Sequence, residues 1–399
     1  MRVALVTHEF EVDGGTATLT AFLYRALATS GRYAPDVVSL ATSRADALSA
    51  RLTSPRAWLR GPAIRTGVVR GMPVHHVGAY LPELEVQRYR PRAVLTDLLN
   101  SYDLVQFVVG IPPWLCVAEH VRRPVFLYTA TRLRADRESR LRRMRGARRL
   151  WSAGMTAAVA PYERRALRRA DLVFALSNYT RDALLPSVDA ARLFVAPCGV
   201  DVDYFRPAPS GRGGRYILAV GRFGDPRKNV RLLFDAYARL AARVADCPPL
   251  LLAGAPPHED DAAFARALGI ANRITTRAGV SADELARLYR DAALFVLPSD
   301  EEGLGIVVLE AMASGLPVVS TRCGGPEMVV DEGATGYLVA TGDAAALSQR
   351  MEQIITTPEH ADALGRQARR VAETRYSIAA CGAVFIDAYD RHLAAATPV

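Results

Sequence analysis

Among 50 basic residues in this 399-residue chain, one is a lysine, Lys228, in the stretch VGRFGDPRKNVRLL. Arg222 precedes it by six residues, directly after Gly221. Two cations beside a helix start suit a diphosphate. A guanidinium fork grips two oxygens, an ammonium acts as a mobile point charge, and the free N–H groups of the first helical turn favour an anion. Taken alone, the pair reads more readily as a solvated surface loop. A second cluster lies in PSDEEGLGIVVLEAMASGLPVV, Pro298 to Val319, where Glu302 and Glu310 stand eight residues apart. Gly303 and Gly305 let the backbone approach a ligand closely. A helix starting there would carry Glu310 about two turns in, near the face of Glu302. Carboxylates only accept hydrogen bonds, which suits the paired hydroxyls of a sugar or ribose. The alternative is an ordinary capped helix. The spacing of the two acids is weak evidence by itself and gains weight from the PS, EGLG, EAMASG and PVV segments around it.

Such side chains need strand ends to hold them. VALVTH, Val3 to His8, reads as a strand, followed by a loop with Gly14 and Gly15. A helix then runs Thr16 to Thr29, with Leu19, Phe22, Leu23, Ala26 and Leu27 on one face. DVVSL, LVQFVV, PVFLYT, ADLVFALS and LFVAP continue as buried strands between helical stretches. The pattern breaks at RPAPSGRGG, Arg206 to Gly214. A second series of strands follows in YILAVG, PLLLAG, LFVLPS and PVVST, with helices between them. This alternation predicts parallel βαβ units. The expected architecture is α/β: two Rossmann-like domains, residues 1–205 and 206–375, with a last helix over 376–399 returning to the first domain. In open sheets of this kind ligands bind beyond the carboxyl ends of the strands. The predicted site is therefore a cleft where two sets of strand ends face each other.

Half of the residues are apolar and 23% are charged, the composition of a soluble globular chain. Cys116, Cys198, Cys247, Cys323 and Cys381 form no C-x-x-C pair, so free thiols are expected and a structural zinc site is not. The N-terminal apolar run is too short for a signal peptide, and no stretch approaches the ~20 apolar residues of a membrane span. A cytoplasmic location is expected. Asp201 and Asp203 form a D-x-D in a segment leading to the linker, where a structural role is favoured over metal binding. No metal or cofactor is expected. The net charge is +9, and Arg132 to Arg149 holds nine arginines against Asp136 and Glu138. This stretch predicts a helix with Leu133, Leu141, Met144 and Trp151 facing inward. Its basic side is either a solvated face or a peripheral contact for an anionic membrane or acidic acceptor. Nucleic acid is not an expected partner, since no aromatic-interleaved groove accompanies the charge.

The segments VGRFGDPRKN, the long run from GVSADELARLYRDAALFVLPS to PVVST, GGPEMVVDEGATGYLVATGD and APCGVDVDYFRP resemble glycosyltransferase family 4, the retaining group with the GT-B fold. The likeness is specific over the C-terminal half. In the N-terminal half it rests on Gly14, Gly15 and ERRALRRADLVFALSNYT. The resemblance implies transfer of a sugar from a UDP- or GDP-type donor to a hydroxyl on a glycan, lipid-linked or natural-product acceptor. It implies that Arg222 and Lys228 hold the diphosphate and that Glu302, with the backbone of Gly303, Leu304 and Gly305, holds the donor sugar. Arg222, Lys228 and Glu302 are thereby the catalytic set. Glu310 would bind ribose, and Val280 with the helix after it would flank the base. Gly14 and Gly15 would bring backbone N–H groups to a phosphate or acceptor. Members often carry histidine where this chain has Thr131, histidine at Gln106 and asparagine at Cys198. Thr131 is the candidate replacement, and His8 is a second candidate for which a structural role is favoured. The alternatives are a GT-B sugar-nucleotide epimerase or sugar phosphorylase, and a non-catalytic nucleotide-sugar binder.

Overall fold

Runs such as VALV and LVQFVV bury both strand faces, as strands of a parallel sheet covered by helices must. A computed structural model describes residues 1–8, 10–11, 14–52, 60–208 and 213–396. It contains two compact units, Met1–Cys198 with Gly382–Val399, and Gly199–Cys381. The first holds an eight-stranded sheet in the order β3-β4-β2-β1-β5-β6-β7-β8. In that spatial order the strands are Ile64–Val69, Met72–Val77, Ala34–Leu40, Arg2–His8, Leu104–Val109, Val125–Thr129, Leu172–Ala175 and Leu193–Val195. All pairings are parallel except the β3–β4 hairpin. The second unit holds a six-stranded parallel sheet in the order β11-β10-β9-β12-β13-β14. These strands are Ile274–Arg277, Leu250–Ala253, Ile217–Val220, Leu294–Leu297, Val318–Thr321 and Gly336–Val339.

The C-terminal helix, Ile378–Ala396, enters the first unit from Gly382 onward. A Cβ on Gly382 would lie 2.6 Å from that of Ala26, so the close approach to the helix Gly15–Thr29 needs a glycine. Phe385 and Tyr389 are fully buried against Phe22, Phe126 and Phe174. The Tyr389 hydroxyl donates to Gln106 Oε1 at 2.7 Å, and Gln106 Nε2 donates to the Phe107 carbonyl at 2.8 Å.

Several elements depart from expectation. The β3–β4 hairpin turns through Arg70 and Gly71, both with positive φ, as a tight two-residue turn requires. Its outer strand is largely exposed and so carries no buried run. The basic stretch is two helices, not one: Leu133–Arg143 and Gly146–Arg169, parted where Gly146 takes φ 59. Leu133 is buried as expected. Trp151 is not: it is 74% exposed, and Leu150 beside it is 76% exposed.

Tyr389→Phe is expected to lower stability by about 1–3 kcal/mol, because it leaves Gln106 Oε1 unpaired in the core. Urea denaturation followed by tyrosine-independent circular dichroism measures this. An unchanged midpoint would show that the bond contributes nothing.

Candidate functional site

Beyond β9 the chain runs through Gly221 and Arg222 into the short 3-10 turn Pro226–Lys228, which Asp225 caps by accepting from Arg227 N at 3.0 Å. Asn229 then takes the left-handed conformation, φ 41 and ψ 52, a region that asparagine tolerates better than most residues. Its Oδ1 caps the helix Val230–Arg243 and its Nδ2 donates to Asp300 Oδ1 at 2.7 Å. Asp300 N donates to the Arg227 carbonyl at 2.7 Å. The loop after β9 is thereby stitched to the loop after β12.

That stitching brings Lys228 to Glu302. Nζ lies 2.5 Å from Oε1, and the side chains are only 17% and 14% exposed. The buried Ser299 hydroxyl donates to the same Oε1 at 2.7 Å. The Glu302 backbone is pinned from the loop after β13: its N–H donates to Cys323 O, and its carbonyl accepts from Gly325 N. A Cβ on Gly325 would stand 2.2 Å from Leu304 Cα, so this segment lies hard against the Gly303–Gly305 turn. Three loops, after β9, β12 and β13, thus converge on one residue, Glu302, at the carboxyl ends of adjacent strands. Arg222 belongs to the same loop but is turned outward, 65% exposed and 3.9 Å from Asp225.

Gly305, with φ 80, starts the helix Ile306–Ala313, and Glu310 lies in its second turn. Its Oε2 accepts from the buried Tyr289 hydroxyl at 2.8 Å, from the neighbouring helix Ala282–Asp291. Burial pushes the Glu310 carboxyl up to about 7, against the lowering effect of the Tyr289 bond. Among the described residues no hydrogen bond joins Glu310 to the Lys228–Glu302 pair. Val280 is half-buried, between Gly279 and Ser281, and the Ser281 hydroxyl caps the Tyr289 helix by accepting from Glu284 N. Sequence reasoning missed Ser299, Asn229, Asp300 and Tyr289. Of these, Ser299, Asp300 and Asn229 stood within the two motifs quoted first, whereas the pairing of Tyr289 with Glu310 has no local signal.

In the first unit, Gly14 and Gly15 open the helix Gly15–Thr29, and among the described residues nothing beyond their chain neighbours and the helix's own backbone lies within 4 Å of a Cβ built on either. Packing within the unit therefore does not demand glycine at these positions. Thr131 is half-buried at the end of β6, its N–H donating to Gly110 O at 3.1 Å. His8 stacks on Trp114 with ring centroids 5.0 Å apart, and burial pulls its pKa down to about 4, leaving a neutral imidazole. Gln106 is held by Tyr389, and Cys198 is buried. The Asp201 carboxylate closes its own turn by accepting from the N–H groups of Asp203 and Tyr204. Among the described residues, no three His, Cys, Asp or Glu side chains converge as a metal site.

A family model described as Glycosyltransferase Family 4 matches residues 13–204, and one described as Glycosyl transferases group 1 matches residues 214–357. The chain is 36% identical over 234 residues to a GDP-mannose-dependent alpha-(1-6)-phosphatidylinositol monomannoside mannosyltransferase of Mycolicibacterium smegmatis, covering 53% of this chain and 61% of that protein. It is 31% identical over 229 residues to a D-inositol 3-phosphate glycosyltransferase of Streptomyces avermitilis, covering 51% and 48%. The matches thus span about half to three fifths of these relatives' length. Two solved structures align over whole chains. Sucrose-phosphate synthase from Thermosynechococcus elongatus gives a TM-score of 0.70 at 21% identity, covering 99% of this chain and 100% of that one. Anabaena HepE in complex with UDP-glucose gives 0.72 at 18%, covering 98% and 100%. At such identities the likeness establishes the fold, which is GT-B. The epimerase, phosphorylase and non-catalytic alternatives find no support here.

Glu310 ties stability to pH. Below about pH 4.5 its carboxyl is protonated in folded and unfolded chains alike. Between 4.5 and about 7 only the folded chain keeps the proton, so the ligand-free protein loses stability as pH rises through this window. Thermal melts across a pH series should show that decline, and Glu310→Gln should flatten it. Parallel pH profiles for the two proteins would contradict the assignment.

Proposed function

The chain belongs to the family 4 glycosyltransferases of GT-B fold, and on that premise we propose that it transfers a glycosyl group, with retention, from a nucleoside-diphosphate sugar to an acceptor hydroxyl. The enclosed Lys228–Glu302 pair carries this reading. An ammonium has three donors, and Glu302 Oε1 takes one, leaving two for diphosphate oxygens. Arg222, exposed on the same loop, suits the second phosphate. Glu302 and the backbone N–H groups of Gly303, Leu304 and Gly305 receive the donor sugar. Glu310 accepts from ribose hydroxyls, with Val280 and the helix Ala282–Asp291 beside the base. The first unit is assigned to the acceptor, with Gly14, Gly15 and Thr131 on the acceptor or phosphate side. The donor is of UDP or GDP type, and the acceptor hydroxyl belongs to a glycan, a lipid-linked sugar or a natural product.

The bond between the anomeric carbon and the phosphate oxygen breaks as the acceptor oxygen bonds to the same face. The acceptor proton passes to the departing phosphate oxygen. Lys228 and Arg222 stabilise the charge that grows on the diphosphate, and binding supplies orientation. The mechanism calls on no cofactor.

Lys228→Ala and Glu302→Ala should each lower kcat/KM at least tenfold, about 1.4 kcal/mol, while circular dichroism stays unchanged. Turnover near wild type in both would refute the assignment. Ribose hydroxyls donate to the ionised form of Glu310, so binding a donor lowers its pKa. Calorimetry with UDP- and GDP-sugars should therefore show affinity falling as pH drops below about 7, and Glu310→Gln should remove that dependence.

Among the described residues no helix is long and apolar enough to cross a membrane. A cytoplasmic location with peripheral attachment fits the outward Leu150 and Trp151 directly after the arginine-rich Arg132–Arg149 stretch, since an indole beside cations suits an anionic lipid interface. Vesicle co-sedimentation should show binding to anionic and not neutral lipid, lost on Leu150→Ser with Trp151→Ser. Equal binding to both lipids would remove the idea.

A further inference from the structure

Tyr289 is fully buried on the helix Ala282–Asp291. Its hydroxyl donates to Glu310 Oε2 at 2.8 Å, with the Val307 carbonyl as a second acceptor at 3.2 Å. A phenol has one proton to give, and an ionised carboxylate takes it in preference to a neutral carbonyl. Burial, and then the Glu310 charge, push the Tyr289 pKa well above its ordinary value, so the hydroxyl stays protonated. The ring is enclosed on both sides. Phe205 meets it edge-on with centroids 5.8 Å apart, and Phe295 packs against it at 5.8 Å. Phe205 is held in turn. Arg369 donates to its carbonyl at 2.8 Å, and the neighbouring Tyr204 hydroxyl donates to Asp283, in the first turn of the Tyr289 helix, at 2.7 Å.

The two carboxyl oxygens of Glu310 are therefore unlike. Oε2 is taken by Tyr289, whereas Oε1 has no hydrogen bond among the described residues and is not closed off from solvent. The residue as a whole is half-buried. An enclosed carboxylate without a fixed donor would turn, or hold its proton. Burial acts on Glu310 in the second way, and the Tyr289 bond acts against it. Other charges against the helix Ile306–Ala313 are engaged elsewhere. Arg369, from the helix Pro358–Arg375, donates to Ala313 O at 2.6 Å and to Glu373 at 2.6 Å. Glu327, from Pro326–Val329, accepts from Gly324 N at 3.4 Å, and the flanking strands β12 and β13 carry no ionisable side chain.

We propose that Tyr289 is a positioning residue for the donor nucleotide, holding Glu310 by Oε2 so that Oε1 accepts from the ribose 2′- and 3′-hydroxyls. This rests on the ribose role given to Glu310 above. It adds a buried phenol, 21 residues away in sequence, that touches no substrate atom and acts through the carboxylate alone. It also makes the site select ribose. A nucleotide lacking both hydroxyls gives Oε1 nothing to accept and leaves a desolvated carboxylate short of donors.

The test is calorimetry of UDP and GDP on the full chain between about pH 6.5 and pH 9, with wild type, Tyr289→Phe, Glu310→Gln and the double variant. Tyr289→Phe removes one oxygen and keeps the ring, and circular dichroism should be unchanged. Without its donor Glu310 holds its proton to higher pH, so the variant's affinity should fall further behind wild type as pH drops. The ratio of the two Kd values should grow at least about threefold from pH 9 to pH 6.5, and protonation of the ligand cancels from that ratio. A purely structural loss would weaken binding by one factor at every pH. The double variant should show no such growth relative to Glu310→Gln. Wild type should bind 2′,3′-dideoxy-UDP at least about tenfold more weakly than UDP, and that penalty should shrink in both single variants. Glu310→Gln binding UDP and GDP as tightly as wild type throughout would remove the ribose reading itself. A Kd ratio for Tyr289→Phe that does not change with pH, while Glu310→Gln does weaken binding, would overturn the positioning role alone.

Discussion

The ion pair between Lys228 and Glu302 is the constraint around which the second unit's strand-end loops are arranged. Each charge is largely enclosed, so each depends on the other, and removing either leaves its partner uncompensated. The backbone bond from Asp300 to Arg227 and the side-chain bond from Asn229 to Asp300 hold the two loops in register around the pair. This accounts for a lysine in a chain that otherwise uses arginine. Its slim methylene stem runs within 3.5 Å of where a Gly221 Cβ would be, then ends in one compact charge. A guanidinium is broader and planar, and its fork would compete with Ser299 for the same carboxylate oxygen.

Most of the strands were legible in the sequence because they are encoded locally, whereas Lys228 and Glu302 were singled out separately and their pairing across 74 residues was not. LVQFVV buries every residue and so announces a covered strand, and a lone lysine just past a strand end marks a candidate site. Features set by distant partners were not legible. Tyr289 meets Glu310 because two helices pack together, and neither segment signals the other. The β3–β4 hairpin was missed because its outer strand faces solvent and carries no alternation. Trp151 was misplaced because a hydrophobic residue among arginines was taken for the buried stripe of one helix, when Gly146 starts a second helix with its own phase.

Gln106 shows how a departure from a family pattern can carry information. Its amide is not left to serve a ligand: it is consumed by Phe107 O on one side and Tyr389 on the other. The C-terminal helix is thereby tied to the centre of the first sheet through a buried polar bond within an aromatic cluster. Such a bond fixes register in a way that ring packing alone does not, since slipping the helix would strand both polar groups.

Glu310 and Arg92 pose the same electrostatic problem with different remedies. An enclosed carboxyl can take up a proton, and desolvation pushes the pKa of the half-buried Glu310 up to about 7 while it accepts from Tyr289. It needs no counter-ion, and remains available to become an acceptor-only anion when hydroxyl donors arrive. An arginine has no such exit at physiological pH. Arg92 must keep its charge with none of its three nitrogens bonded, and it does so on a cavity wall beside an uncapped helix start. Arg132 in the same unit meets the same demand differently, bonded to Glu163 and a backbone carbonyl.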